Sequence, residues 1–164
     1  MIKKIFLVGL TIFVTIQFIR PAKNIKVDKN DNLNNDISSV YPVPENVKNI
    51  LKASCYDCHS NNTYYPWYSN IQPVGWWMQF HVNEGKLELN FDEFASYDRK
   101  KQIKKLEEII EEIKIDKMPL ASYIKMHKEA KLTSQEKNIV TEWVSSVQNL
   151  IGKSETTNKH TVNE

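Results

Sequence analysis

The sequence predicts an all-α fold, in which a small helical domain with long loops follows an N-terminal hydrophobic helix. Three observations support this prediction. Apolar residues recur at helical spacing, capping and stop signals delimit several of these stretches, and no alternating apolar and polar run indicates a strand. The 164 residues fit one domain with terminal extensions. The 22 basic and 20 acidic residues nearly balance, so charge gives no reason to expect a nucleic-acid partner.

Residues 1–20 are predicted to be a signal peptide or an uncleaved membrane anchor. Two lysines precede an apolar stretch from Ile5 to Ile19, and Arg20 ends it. The stretch spans about 22 Å at ~1.5 Å per residue, short of a ~30 Å hydrocarbon core, which favours a cleavable signal. No small-residue cleavage site follows, which favours the anchor. We expect the protein in the bacterial cell envelope, either anchored in the inner membrane facing the periplasm or, if cleaved, periplasmic.

The segments on either side of the main domain are polar. Residues 21–40 are rich in Asn, Lys and Asp and are predicted to be a flexible linker. Residues 153–164 are predicted to be a disordered tail, because they contain few apolar residues that could pack. The functional domain is therefore expected to occupy residues 41–152.

The first half of this domain contains short helices between turns. Pro44 can open a helix whose apolar face leads directly into Cys55. A second helix is predicted from Pro73 to Glu84, with Gly85 as its stop. A capped turn is expected to begin at Asn90.

The second half of the domain has clearer helical patterns. From Asp98 to Lys114, isoleucine and leucine recur on one face. Thr133 and Glu136 form a capping-box signature before a final helix, which Gly152 is expected to end.

The two cysteines of the chain lie in the sequence Cys55-Tyr56-Asp57-Cys58-His59, which is the pattern of a c-type haem attachment site. Two thiols three positions apart lie on one helical turn, where each can form a thioether with one porphyrin vinyl group. His59 follows directly and can reach the iron. The motif predicts one covalent haem c, with Cys55 and Cys58 as attachment points and His59 as the proximal iron ligand.

An aromatic cluster follows the motif. Trp67, Trp76 and Trp77 lie among turn-forming residues within twenty positions of His59. Aromatic rings pack against porphyrin, and their polar atoms can reach a propionate. The three tryptophans are therefore predicted to contact the haem, although ordinary core packing is an equally good interpretation of each ring.

Met118 is the predicted distal iron ligand. A thioether suits low-spin haem iron opposite histidine, and Pro119 can end the preceding helix and direct Met118 across a pocket. Methionine also fills cores routinely. The alternative distal ligands are His81, Met126 and His127.

These residues leave three functions open. If the distal position is filled, a monohaem cytochrome that transfers electrons to and from redox partner proteins is expected, with the N-terminal segment in the membrane. An open distal position favours a haem peroxidase or a gas or redox sensor. The motif can also form a dithiol site or, with His81 or His127, a zinc site.

The sequence resembles the bacterial haem-binding domain family of small exported proteins with a single Cys-x-x-Cys-His motif. This resemblance covers nearly all of residues 41 to 148 and implies a cytochrome c-like domain, without implying a particular reaction. The residues that carry it are Tyr41-Pro42, Cys55-x-x-Cys58-His59-Ser60-Asn61, Tyr65-Pro66-Trp67-Tyr68, Glu84-Gly85-Lys86, Leu89-Asn90-Phe91, Met118-Pro119-Leu120 and His127-x-x-Ala130-x-Leu132.

Overall fold

The computed structural model describes residues 1–26 and 35–161, with side chains described as far as residue 153. No strand occurs among these residues, which confirms the predicted all-α class. Within the described residues, three short 3₁₀ turns cover Trp67–Asn70, Phe91–Ser96 and Lys128–Ala130. The α-helices are α1 (Ile2–Ile16), α2 (Ile37–Val40), α3 (Glu45–Ser54), α4 (Tyr56–His59), α5 (Val74–Glu88), α6 (Arg99–Lys114), α7 (Ala121–Met126) and α8 (Ser134–Thr161).

The apolar core lies where α3, α6 and α8 meet. These helices follow the periodicity expected from the sequence, because each presents one apolar face to the others. The 3₁₀ turn that follows α5 contributes two phenylalanines. The largest fully buried apolar side chains are Ile37, Val47, Leu51, Phe91, Phe94, Leu106, Val144, Val147 and Ile151.

The packed domain begins before residue 41, where the sequence predicted it to start. Ile37 in α2 has 0% of its surface exposed and belongs to the core. Asp36 caps this helix by accepting a hydrogen bond from the Ser38 amide. One apolar residue in a polar stretch gave too weak a pattern to reveal this contact. The predicted linker overlaps residues 27–34, which lie outside the described residues.

Two glycines that were expected to end helices lie inside them. Helix α5 continues past Gly85 to Glu88, and the Leu89 amide donates to the Gly85 carbonyl at 2.9 Å. Helix α8 continues past Gly152 to Thr161. No glycine among the described residues has a positive φ, so neither Gly85 nor Gly152 adopts the left-handed conformation with which a glycine ends a helix. The predicted disordered tail is thus helical in its backbone as far as Thr161, and residues 162–164 lie outside the described residues.

Two of the longer helices begin with side-chain caps, and the capping box predicted for the last helix is confirmed. The Asp98 carboxylate accepts from the Lys101 amide at 2.9 Å at the start of α6. At the start of α8, the Glu136 carboxylate accepts from the Thr133 amide at 2.8 Å, and the Glu136 amide donates to the Thr133 hydroxyl. These reciprocal bonds satisfy amides that have no partner within the helix.

Helix α1 is apolar and lies outside the core, since none of its residues is buried. Its end contacts the rest of the protein through Gln17, whose side chain bonds to the backbone of Gln72. In the part of the chain that the structure describes, no helix is both long and apolar enough to cross a membrane.

Candidate haem site

The Cys-x-x-Cys-His motif forms one tight helical turn after a short break in the helix. The Cys55 amide donates to the Leu51 carbonyl at 2.8 Å, which completes α3. The Cys55 carbonyl then accepts from the amides of Cys58 and His59, at 3.1 and 2.9 Å, which forms α4. The motif residues are therefore placed on one turn, as the sequence spacing predicts.

The His59 ring is oriented by a backbone carbonyl. Its Nδ1 lies 2.9 Å from the Leu89 oxygen, and because a carbonyl only accepts, Nδ1 must carry the hydrogen. This tautomer leaves the Nε2 lone pair for a metal, which is the usual arrangement of a ligating histidine. Burial lowers the pKa of His59 below its ordinary value, although the bond to Leu89 opposes this effect, so the neutral ligating form is favoured.

Both cysteines are free thiols, which haem attachment requires. Burial raises the pKa of Cys55 to about 12, and the neighbouring Cys58 adds to this increase. Burial also raises the pKa of Cys58 to about 11, with a further contribution from Asp57. Both sulfurs are therefore protonated near neutral pH. Together with the His59 tautomer, these thiols fit a covalently bound haem.

Helix α5 passes so close to the motif that only glycine fits at the contact. A Cβ added to Gly85 would lie 2.8 Å from the Cys58 carbonyl oxygen and 3.0 Å from the Cys58 Cβ. Real Cβ atoms essentially never approach backbone this closely, so a larger residue would displace α5 or the motif. Gly85 therefore allows α5 to pack directly against the Cys-x-x-Cys-His motif.

Asp57, inside the motif, links α4 to the helix that follows Met118. The Tyr123 hydroxyl in α7 donates to the Asp57 carboxylate at 2.7 Å. Burial raises the pKa of Tyr123, and the bond to Asp57 raises it further, so this hydroxyl remains a donor. Helix α7 is therefore fixed against the haem motif.

Met118, the predicted distal ligand, is half-buried on the segment that leads into α7. Its amide donates to the Glu112 carbonyl at 3.1 Å at the end of α6, and the following Pro119 is buried. Tyr123, which contacts the motif, lies five positions after Met118. Its assignment as an iron ligand stays a prediction.

The rival ligands in and after α7 have different surroundings. His127 Nε2 lies 2.9 Å from the Tyr68 hydroxyl, and Nδ1 lies 3.4 Å from the Glu129 carboxylate. The His127 ring also stacks on Tyr123, with the ring centroids 4.4 Å apart. Both nitrogens of His127 are therefore engaged, while Met126 is 61% exposed.

His81 shares one feature with His59. Its Nδ1 lies 2.8 Å from the Trp77 carbonyl in α5, so this nitrogen must also carry the hydrogen and Nε2 the lone pair. The His81 ring lies 4.4 Å from the Trp77 ring, between centroids. His81 therefore has a tautomer suited to iron binding.

The three tryptophans predicted to contact haem occupy different environments. Trp67 is 75% exposed and packs edge-on against the Tyr68 ring. Trp77 is 48% exposed beside His81. Trp76 is half-buried, and its indole donates to the Ile19 carbonyl at 2.8 Å. Their predicted role in haem contact stays a prediction.

Several residues that shape the site were not identified from the sequence. The Leu89 carbonyl gives no sequence signal, because any residue supplies one. Tyr123 lies in a short helix without a distinctive motif. Gly85 was noticed as a glycine, but its contact with Cys58 depends on tertiary structure.

The zinc alternative gains no support from the geometry. Within residues 1–26 and 35–161, no three or more His, Cys, Asp or Glu side chains are grouped to hold a metal ion. A haem site would not need such a group, because the porphyrin itself would supply most of the iron ligands.

Comparison with known proteins gave one match. No curated protein and no solved structure matches the chain. A family model described as a haem-binding domain matches residues 11–146, which include the complete motif, Met118 and all of α2 to α7. Because this match covers most of the sequence, the chain belongs to the haem-binding domain family.

Proposed function

We propose that this protein is a monohaem c-type cytochrome that transfers electrons on the outward face of a bacterial membrane. The observation that carries the proposal is the His59 ring, whose Nδ1 hydrogen is donated to Leu89 next to two free motif thiols. Family membership supports haem binding, and the motif supports covalent attachment.

The chain's own residues have defined tasks in this proposal. Cys55 and Cys58 would hold the haem, each thiol adding across one vinyl group with sulfur bonding to one carbon and hydrogen to the other, so that no oxidant would be consumed. His59 Nε2 would ligate the iron, and the Leu89 carbonyl orients its ring. When bound, haem supplies the one-electron iron couple.

A filled distal position supports electron transfer rather than catalysis. Met118 remains our choice, because a methionine ligand raises the reduction potential and its segment leads into α7, which contacts the motif. His81 is the structural alternative, since its tautomer also suits iron. Either ligand would keep peroxide or a gas away from the iron, which disfavours the peroxidase and sensor alternatives.

The membrane placement rests on α1. Most of its fifteen residues are apolar, Lys3 and Lys4 precede the main apolar stretch, and Arg20 follows it. We propose that α1 anchors the protein in the inner membrane, or is removed as a signal, with the domain on the periplasmic side. Unidentified redox proteins at this surface would exchange electrons with the haem.

The first experiment tests covalent attachment. The protein is produced with haem-attachment machinery, denatured, extracted with acidic organic solvent, and measured by absorption spectroscopy and intact mass. We expect one haem to remain bound per chain. The same protein produced without the machinery is the control. Loss of all haem on extraction would overturn the c-type assignment.

A second experiment identifies the distal ligand. In Met118→Ala, we expect a lower reduction potential, carbon monoxide binding to the ferrous protein, and loss of the long-wavelength band of methionine-ligated ferric haem. The matched variant His81→Ala should retain the parent spectrum. If only His81→Ala opened the iron to carbon monoxide, the Met118 assignment would be wrong.

A further inference from the structure

The residues that follow α1 are bonded to the domain at both ends. We call Gln17–Asn24 the strap. At its start, Gln17 accepts from the Gln72 amide at 2.9 Å and donates to the Gln72 carbonyl at 3.2 Å. Two residues later, the Ile19 carbonyl accepts from the Trp76 indole at 2.8 Å. The end of α1 is thus fixed at the corner that leads into α5.

At the other end of the strap, Asn24 bonds to the loop that follows the haem motif. Its side-chain amide donates to the Ser60 carbonyl and the Thr63 hydroxyl, both at 2.9 Å. Its carbonyl accepts from the Thr63 amide at 2.9 Å, and Lys86 donates to its side-chain oxygen at 2.7 Å.

The Thr63 hydroxyl in turn donates to the Asp57 carbonyl at 2.6 Å. Two successive hydrogen bonds, from Asn24 to Thr63 and from Thr63 to Asp57, therefore connect the strap to the motif. Because Thr63 is buried, water does not easily replace these bonds, and the motif is held in a fixed position relative to the end of α1.

Exposed apolar side chains surround the corner to which the strap is bonded. We call Trp67, Ile71, Val74 and Trp77 the aromatic patch, and these residues are 75%, 39%, 40% and 48% exposed, respectively. The Gly75 amide donates to the Ile71 carbonyl at 3.0 Å, which closes the corner. Gln72, which Gln17 holds, lies between Ile71 and Val74 in the chain.

We propose that the strap holds the domain against a lipid surface, with the aromatic patch inserted at the membrane interface. This inference rests on the proposed anchoring by α1. Tryptophan prefers the boundary between headgroups and acyl chains, and the patch lies directly beside the end of the apolar helix. Arg20 and Lys23 in the strap add positive charge that complements anionic headgroups.

The position of the patch along α5 separates it from the attachment thiols. Gly85 contacts Cys58, whereas Trp77 lies eight residues earlier in the same helix, about 12 Å along its axis at ~1.5 Å per residue. The patch is therefore at the end of α5 nearest to α1.

Photocrosslinking of the full chain tests this proposal. The photoreactive residue p-benzoylphenylalanine replaces Trp77, and the haem-loaded protein is reconstituted in vesicles of phosphatidylcholine and phosphatidylglycerol, irradiated, and analysed by mass spectrometry. The matched control carries the same residue in place of Leu87, which is 81% exposed in α5, about 15 Å further along the axis at ~1.5 Å per residue.

We expect several-fold more lipid adducts at position 77 than at position 87. A replacement of Trp67 gives a second test should the first variant fail to fold. Equal lipid yields at 77 and 87, or adducts at 77 to haem or to a second protein chain, would overturn the proposal. Covalent haem is measured in the same samples, so failure of lipid docking is distinguishable from failure of the cytochrome assignment.

The role of the strap is tested by Gln17→Ala in the crosslinking protein. We expect fewer lipid adducts at position 77, while the protein still sediments with the vesicles through α1. An unchanged yield at position 77 would show that the strap does not orient the domain.

Discussion

Helices α3, α6 and α8 pack through apolar side chains, whereas α4, α5, α7 and the strap surround the Cys-x-x-Cys-His motif, where hydrogen bonds and the close approach at Gly85 make many of the contacts. On the first side, which we call the core side, residues such as Leu106 and Val144 are completely buried. On the second, the motif side, the contacts are bonds such as those of Asn24 with Thr63 and Tyr123 with Asp57.

This difference indicates how the two sides become stable. We expect the core side to pack without a cofactor, because burial of apolar side chains is the main favourable contribution to folding. The motif side leaves large apolar residues exposed, including Tyr64 and Phe80 at 69% and 57%. We expect bound haem to add apolar contacts on this side and to stabilise it selectively.

Loss of covalent haem should have the largest effect, and it should be confined to the motif side. In a variant with Cys55→Ala and Cys58→Ala, we expect amide hydrogen exchange to accelerate strongly in α4 and α5 and to change little in α6 and α8. The unsubstituted protein made without haem attachment should show the same pattern. Equal acceleration on both sides would contradict the distinction.

Truncation of a core residue should affect overall stability instead. Leu106 has 0% exposure, so Leu106→Ala should lower the free energy of unfolding by about 2–5 kcal/mol, measured by urea denaturation, while covalent haem is retained. The control Leu150→Ala changes a residue that is 43% exposed and should cost much less. Loss of haem from the Leu106 variant would show that the two sides fold as one unit.

A methyl group at Gly85 should disturb the contact between α5 and the motif. Because its Cβ would lie 2.8 Å from the Cys58 oxygen, Gly85→Ala should cost about 1–3 kcal/mol and reduce the yield of covalent haem. Gly152→Ala is the matched control, since no atom lies within 4 Å of its added Cβ, and it should be neutral or stabilising. Equal effects of the two substitutions would argue against a close contact.

The smallest expected effect concerns the capping box of α8. The bond from the Thr133 amide holds the pKa of Glu136 below its usual value. The contribution of the Glu136 carboxylate to stability should therefore be complete above the ordinary glutamate pKa of 4.5. It should disappear as the pH falls through the lower pKa of the folded state. Glu136→Ala should cost about 0.5–1 kcal/mol at pH 7 in thermal unfolding.

The exposed Glu142→Ala substitution in the same helix serves as its control. We expect the difference between the wild type and Glu136→Ala to shrink below pH 4.5, relative to this control. A difference that stayed constant to lower pH would show that the carboxylate charge is not involved.

The sequence predicted the core side better than the motif side. The apolar periodicity of α6 and the capping box of α8 are local patterns, and both are confirmed. The prediction that Gly85 and Gly152 end their helices was wrong. Gly85 is required by its contact with another helix and not by its own backbone conformation.

The candidate site was predictable where its chemistry is encoded in adjacent residues. Cys55, Cys58 and His59 form one turn, as their spacing indicates. The bonds of Asn24 and Tyr123 join residues more than thirty positions apart, and such contacts leave no signal in a single sequence. The strap was not predicted either, because it contacts the domain through hydrogen bonds and not through a recognisable apolar pattern.

Leu89 belongs to both sides at once. Its side chain is 7% exposed within the apolar core, while its carbonyl orients the His59 ring. If His59 ligates the iron as proposed, a change in core packing that shifts Leu89 would rotate the imidazole and alter its donation to iron. The colour and redox potential of the holoprotein would then serve as a spectroscopic gauge of internal packing, readable without unfolding the molecule.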